Sequence, residues 1–319
     1  MPRSVQTLAR GEHVHALWPG QIDTARAARW RQNGCFRDMS VSKPTMPVSV
    51  IVVTYNSASV VLDAVRSIDR RAEIVVVDNA SMDETIALLQ DSDVRLIKND
   101  RNVGFGHACN IGAAQCQRPF LFFLNPDARL RADALEWLIR AATARPQYAA
   151  FNPRILTPDG NQFQRKMSRL LPPELNAKLS APLCRDRDIE ILSGAALFCR
   201  RDAFEAIGGF DENIFLYCED DDLSLRFRQV GMSLGYIHDA IVEHVGGASA
   251  AVTPELAELK AYHLMRSSRY AMRKHAIVFE RRHQLFQCAL KFAGGLLALD
   301  RYQQAKYRGY LKALIESEA

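Results

Sequence analysis

The sequence predicts an α/β fold on a mostly parallel sheet with flanking helices, and three observations predict it. Three apolar runs, residues 48–53, 73–77 and 120–124, each stop abruptly at polar residues; continuous runs of this kind suit strands buried on both faces. Segments of helical spacing lie between them, so strand and helix alternate as in a doubly wound sheet. The residues that end the runs, Thr54-Tyr55-Asn56, Asp78-Asn79 and Asn125-Pro126-Asp127, collect at one sheet edge, where open α/β sheets bind ligands.

Taken in order, residues 1–46 show no sustained period and are expected to form a loosely ordered extension, with Met39 and Met46 as alternative starts of translation. After the first strand, Val61, Val65 and Ile68 share a helix face. The second strand leads into Ser81-Met82-Asp83-Glu84, which has the form of a capping box before a helix carrying Ile86 and Leu89. Residues 94–97 read as a strand and 104–116 as a helix of small residues. The strand at 120–124 precedes a helix over 132–144 with Leu135, Leu138 and Ile139 inward. Residues 151–156 and 162–165 read as a hairpin about Pro158-Asp159-Gly160, and 170–188 as an irregular loop. A strand over 191–198 holds Ser193, Gly194 and Ala195, whose small side chains let a ligand approach the backbone. Gly208-Gly209-Phe210-Asp211 follows, then Glu219-Asp220-Asp221-Asp222, which opens a helix through Leu223, Phe227 and Val230. From residue 255 onward the pattern is helical, basic and aromatic.

The 319 residues, 48% hydrophobic, suffice for a large core. Seven cysteines, odd in number and without a Cys-x-x-Cys pair, argue against a zinc cage or disulfide framework and for a reduced, cytoplasmic setting. No stretch reaches the roughly 18–20 apolar residues of a membrane span, and the N-terminus lacks a signal-peptide core. Residues 1–46 hold seven Lys/Arg against three Asp/Glu, residues 255–319 hold twelve against six, and the middle holds 22 against 27. An acidic body argues against a nucleic-acid groove. Basic ends suit the anionic inner face of a cell membrane or an ordinary solvated surface.

Asp78 and Asp127 taken alone fit a nucleotide site, a metal site or helix caps. Gly104-Phe105-Gly106-His107-Ala108-Cys109 fails the dinucleotide fingerprint at its last position, and no phosphate-binding Gly-x-x-x-x-Gly-Lys is present. Four adjacent acids at 219–222 exceed what a helix N-terminus needs. In the C-terminal segment, Tyr262, Met265, Arg266, Arg269, Tyr270 and Arg273 interleave at helical spacing. They describe a packed helical subdomain or an interfacial helix on anionic lipid.

Six pieces stand in a fixed order: Val53-Thr54-Tyr55-Asn56, Val76-Val77-Asp78-Asn79-Ala80-Ser81, Asn102-Val103-Gly104-Phe105-Gly106, Leu124-Asn125-Pro126-Asp127, Gly208-Gly209-Phe210-Asp211 and Glu219-Asp220 with Asp222. By these pieces the chain, from about residue 48 to 247, resembles a family 2 glycosyltransferase of GT-A fold, and within that family bacterial rhamnosyltransferases of cell-surface polysaccharide synthesis. The resemblance implies a nucleotide-binding half over 47–130, an acceptor half over 131–254 and a helical subdomain over 255–319. It implies that Thr54, Tyr55, Asn56, Asp78 and Asn79 hold the nucleoside, with Asp78 accepting from a pyrimidine N3–H. Asn102, Gly104, Phe105, Asn110 and Asn125 line the donor pocket. Asp220 is the base that inverts the anomeric centre and Glu219 orients it, while Ser193, Gly194, Ala195 and Asp222 lie toward the acceptor, Asp222 with Arg226 as its i+4 partner. Asp127 takes the last position of the family's Asp-x-Asp metal motif, whose first position is here Asn125. His244 is a further ligand of Mg²⁺ or Mn²⁺ or a structural histidine. The expected donor is dTDP-rhamnose, or alternatively a UDP-hexose or UDP-N-acetylhexosamine, and the acceptor a glycan or lipid-linked glycan. An assembly protein that binds sugar nucleotides without turnover is the alternative of another class.

Overall fold

The computed structural model describes residues 45–181, 183–245 and 253–316; the extension expected over residues 1–44 and the last stretch of the resemblance, residues 246–247, lie outside them. Strands β1 (Val48–Thr54), β2 (Glu73–Asp78), β3 (Arg95–Lys98) and β4 (Phe120–Leu124) are parallel and run β3-β2-β1-β4 across the sheet. Helices α1 (Val61–Ser67), α2 (Thr85–Leu89) and α3 (Phe105–Ala114) connect them. The register sets Thr54 opposite Asp78 and Asp78 opposite Lys98, which aligns the polar strand ends. Alternate residues of β1 enter separate cores, because strand side chains alternate in direction. Val50 and Val52 meet Val61 and Val65 on one face; Ile51 and Val53 meet Ala108 and Cys109 on the other. The small residues of α3 let it lie close: a Cβ on Gly112 would fall 2.6 Å from Ile51 Cγ2.

Beyond β4 come β5 (Ala128–Leu130), α4 (Ala134–Ala144), β6 (Tyr148–Leu156), α5 (Pro173–Lys178), β7 (Arg187–Asp188), β8 (Ala196–Arg200), α6 (Arg201–Ala206), α7 (Glu219–Gln229) and β9 (Ser233–His244). The sheet continues β4-β8-β6-β9-β5, with β7 paired to β9. Strand β8 is antiparallel to both β4 and β6, so the sheet is mixed. Helices α8 (Pro254–Lys274), α9 (Arg281–Leu297) and α10 (Arg301–Ile315) form the C-terminal segment, and α8 buries Ala271 and Met272 against Leu170 and Ile214 of the body. No described helix is long and apolar enough to cross a membrane.

Several local expectations are corrected. Ser81 caps no helix: its hydroxyl donates to Asp78 Oδ1 at 2.5 Å, and Asp83 accepts from the Thr85 N–H at 3.0 Å instead. The hairpin about residues 158–160 forms but is short: Leu156 bridges Gln162, and the Thr157 and Phe163 N–H groups donate to the Asn161 and Ile155 carbonyls, both at 2.8 Å. The loop over 170–188 contains α5 and β7, and the strand expected from residue 191 begins at Ala196. Met46 is buried and its N–H donates to the Arg71 carbonyl at 2.9 Å, so the body takes in the last residue of the expected extension.

Candidate active site

The expected nucleotide-binding residues form a lattice of hydrogen bonds at the ends of β1 and β2. Asp78 is fully buried; its Oδ1 accepts from the Thr54 and Ser81 hydroxyls and its Oδ2 from the Ser81 N–H at 2.9 Å. The Asp78 carboxylate thus organises the loop at the ends of β1 and β2. Asn56 and Ala80 take positive φ, 50° and 66°, and the Asn56 amide oxygen accepts from the Met82 N–H at 2.8 Å. Tyr55, 48% exposed, is the residue of this set presented to solvent.

Asn79 ties that loop to the next one. Its Nδ2 donates to Asn102 Oδ1 (2.8 Å) and to the Gly104 carbonyl (3.2 Å), and its Oδ1 accepts from the Val103 N–H. Gly104 sits at φ 93°, and a Cβ there would fall 2.4 Å from the Phe215 carbonyl oxygen, so only glycine fits. Phe105 continues the same docking, donating its N–H to that oxygen at 3.0 Å. Asn110 joins α3 to the later turn over residues 208–211. Its amide accepts from the Phe210 N–H and donates to the Phe210 carbonyl, both at 2.9 Å, which fixes the Gly208-Gly209-Phe210-Asp211 turn.

The metal candidates come together: His244 Nε2 lies 3.0 Å from Asp127 Oδ1 and 3.4 Å from Asn125 Nδ2, because β5 and β9 pair Ala128 with His244. A carboxylate, an imidazole and an amide suit Mn²⁺, and Mg²⁺ with more oxygen ligands. Among the described residues no three His, Cys, Asp or Glu side chains gather as a metal site. The donor set therefore fits an ion completed by phosphate oxygens and water rather than a closed protein cage.

The acidic run forms the first turn of α7, where carboxylates are stabilised by the free backbone N–H groups. The helix starts from Tyr217 and Cys218, both left-handed at φ 66° and 68°. Asp220 Oδ2 accepts from the Gly194 N–H at 2.9 Å and from Arg165 at 2.5 Å, and the other arm of Arg165 binds Asp221. Burial, reinforced by the Asp220 charge, pushes the Glu219 carboxyl up to about 8, and its Oε2 has no hydrogen-bond partner among the described residues. Burial likewise raises Asp221 to about 6, against the opposing field of Arg165. Asp222 is fully buried and holds its expected i+4 partner Arg226 together with Lys274 and His275, each at 2.7 Å. Burial opposes its ionisation, but these three partners overcome that and hold it well below the usual carboxylate range.

Ser193, Gly194 and Ala195 form the bridge between the two chemistries. The Ala195 carbonyl accepts from the Asn125 N–H at 3.0 Å while Gly194 donates to Asp220. Asn152 clamps this turn, accepting from the Ser193 N–H at 2.7 Å and donating to the Ser193 and Ala196 carbonyls. Arg165, Asn152 and Ser81 are the site residues that sequence reading missed. Only Ser81 carries a signal in the sequence, its place in the 76–81 piece.

The family model "Glycosyl transferase family 2" matches residues 49–208. An N-acetylglucosaminyl-diphospho-decaprenol L-rhamnosyltransferase of Mycobacterium tuberculosis is 30% identical over 225 residues, covering 61% of this chain and 73% of that protein. The O-antigen chain rhamnosyltransferase RfbN of Salmonella typhimurium is 28% identical over 217 residues, 62% of this chain and 66% of that one. Among solved structures, the mannosyltransferase PcManGT from Pyrobaculum calidifontis in complex with GDP-Man and Mn²⁺ aligns with TM-score 0.50 and 20% identity over 91% of this chain and 92% of that one. GalNAc-T7 with UDP, GalNAc and Mn²⁺ aligns with TM-score 0.55 and 16% identity over 86% of this chain, which spans 56% of that structure. These likenesses establish the GT-A fold.

Proposed function

The chain belongs to glycosyl transferase family 2, and on that premise we propose that it transfers L-rhamnose from dTDP-rhamnose, with inversion, onto a lipid-linked glycan of cell-surface polysaccharide synthesis. The observation that carries this reading is the single backbone turn 193–195, which ties the metal candidates at Asn125 to the base candidate Asp220. Donor diphosphate and attacking hydroxyl must meet across such a turn. The two rhamnosyltransferase relatives support the donor, and the lipid diphosphate in the name of one supports the acceptor.

In this reading Asp220 takes the proton of the acceptor hydroxyl as it attacks the sugar, and the Gly194 N–H and Arg165 hold the carboxylate in position. Glu219, kept neutral by burial, positions the start of α7 rather than acting as base. Asp127 and His244 would hold a divalent cation, which as a Lewis acid offsets charge on the departing diphosphate. Tyr55 and Asn56 lie at the strand ends where the nucleoside binds. The C-terminal helices bring the enzyme to an anionic membrane surface.

The test is nucleoside-diphosphate release from dTDP-rhamnose, UDP-glucose and UDP-N-acetylglucosamine with Mn²⁺ and a polyprenyl-diphosphate-linked N-acetylglucosamine acceptor. Acceptor-dependent turnover of dTDP-rhamnose alone is expected, falling by about 10²–10⁴ in Asp220→Asn while dTDP binding persists. Turnover of a UDP-sugar instead would overturn the donor, and full activity in Asp220→Asn would overturn the base.

A further inference from the structure

A cavity of about 310 Å³ lies between the body and the C-terminal helices, lined among others by Arg169, Met265, Gln284, Lys291, Lys306 and Tyr310. At roughly 30 Å³ per water it has room for about ten waters. Its chemistry is one-sided: three cations and no carboxylate line it, and no ion pair joins Arg169, Lys291 or Lys306 to an acid among the described residues. The charges converge. Arg169 and Lys291 both act on the Cys288 thiol in the cavity wall, and Arg169 acts on the Tyr310 hydroxyl. The Lys291 and Lys306 ammonium groups lie 5.7 and 5.8 Å from the centre of the Tyr307 ring, which gathers two like charges around one aromatic side chain. Like charges held together without a counter-charge mark a site for an anion, and Arg with Lys beside hydroxyl and amide donors is the set that recognises phosphate.

The cavity adjoins the catalytic turn by two routes. Arg169 stands four residues after Arg165, which holds Asp220 and Asp221, so the two Cα atoms are at most about 14 Å apart. Tyr310 lies within electrostatic reach of Tyr217, which also feels Glu219 two residues on. On α9 the cavity takes Gln284, Gln287, Cys288 and Lys291, one helix face at i, i+3, i+4 and i+7.

We propose that this cavity is a subsite for the diphosphate of the lipid-linked acceptor, separate from the diphosphate of the sugar donor. This rests on the reading of the acceptor given above and adds to it where the acceptor's own phosphates are held. Arg169 joins the subsite to the catalytic turn, while Lys291 and Lys306 carry the charge recognition from the helical segment.

The test is titration calorimetry of the full chain with farnesyl diphosphate as probe, in saturating dTDP so that the donor site is occupied. The wild type is expected to bind, and Lys291→Gln with Lys306→Gln to weaken binding about ten-fold or more, as loss of two charge-assisted contacts implies. Lys291→Arg with Lys306→Arg should restore it, and Lys260→Gln, exposed on α8 and outside the cavity lining, should retain it. Unchanged affinity in the double Gln variant, or an equal loss in Lys260→Gln, would overturn the subsite. Inorganic diphosphate binding as tightly as the farnesyl compound would reassign it to free phosphate. Phosphatidylglycerol vesicles competing as effectively would reassign it to a lipid headgroup. Because the readout needs no sugar donor, binding without rhamnose transfer would overturn the proposed donor and leave the subsite standing.

Discussion

Glu219 and Asp220 are adjacent, yet a helix turns about 100° per residue, so α7 sends their side chains into different surroundings. Asp220 meets a guanidinium and an N–H, whereas Glu219 lies beside α3, its Cβ 3.7 Å from where a Cβ on Gly106 would stand. With its carboxyl pushed from 4.5 to about 8, the native protein keeps a proton there that the unfolded chain releases above about pH 4.5. Stability is therefore lost as pH rises through that window. Glu219→Gln should match the wild type at pH 4.5 and exceed it by up to a few kcal/mol at pH 8.5; a urea-midpoint difference that stays flat with pH would refute this. The acidic run was legible in sequence because four adjacent carboxylates are unusual. Its controlling cation, Arg165, was not, since an arginine 55 positions away in an irregular segment leaves no local trace. The burial of Asp78 was equally hidden: the sequence gives a polar residue at a strand end, but not that Thr54 and Ser81 close over it.

At the scale of elements, α7 and α8 are joined by two acids and a shared lysine. Lys274 Nζ lies 2.7 Å from both Asp222 and Asp211, Tyr270 donates to Asp211 at 2.9 Å, and His275 donates through Nε2 to Asp222 while Gln229 donates to its Nδ1. The seam thus anchors the first helix of the C-terminal segment to the helix that carries the proposed base, Asp220. Removing one partner of a buried ionic cluster leaves the others uncompensated, so Asp222→Ala should cost about 3–5 kcal/mol, read as a lower urea midpoint at unchanged slope. A loss below about 1 kcal/mol would show that water replaces the carboxylate. Strands β1, β2 and β4 were legible because each centres on an apolar run. Strand β9 was not, for its register with β6 jumps between Ile237 and Ile241, and the polar His238-Asp239 there breaks any period of two. Without β9 the pairing that carries His244 to Asp127 is also out of view, although His244 itself had been singled out.

Across the whole molecule, the division of charge acquires a shape. The mildly acidic body holds the catalytic edge, and the basic C-terminal segment turns one face of α9 away from the fold: Phe286, Leu290 and Leu297 are 63%, 57% and 89% exposed at i, i+4 and i+11. Burying such a face stabilises by about 25 cal/mol per Å² of apolar surface removed from water, and water alone offers no partner for it. Arg282 at the start of the helix and Arg301 just beyond it add charges that match anionic headgroups, the arrangement of an interfacial helix. The protein is thus expected to sediment with vesicles containing phosphatidylglycerol at low salt and to be released as salt rises, since screening weakens the headgroup attraction. Leu290→Glu with Leu297→Glu should abolish sedimentation while leaving dTDP binding at the far edge of the sheet intact. Wild-type protein that stays in the supernatant at low salt would reject the lipid contact and assign the exposed face of α9 to some other occupant.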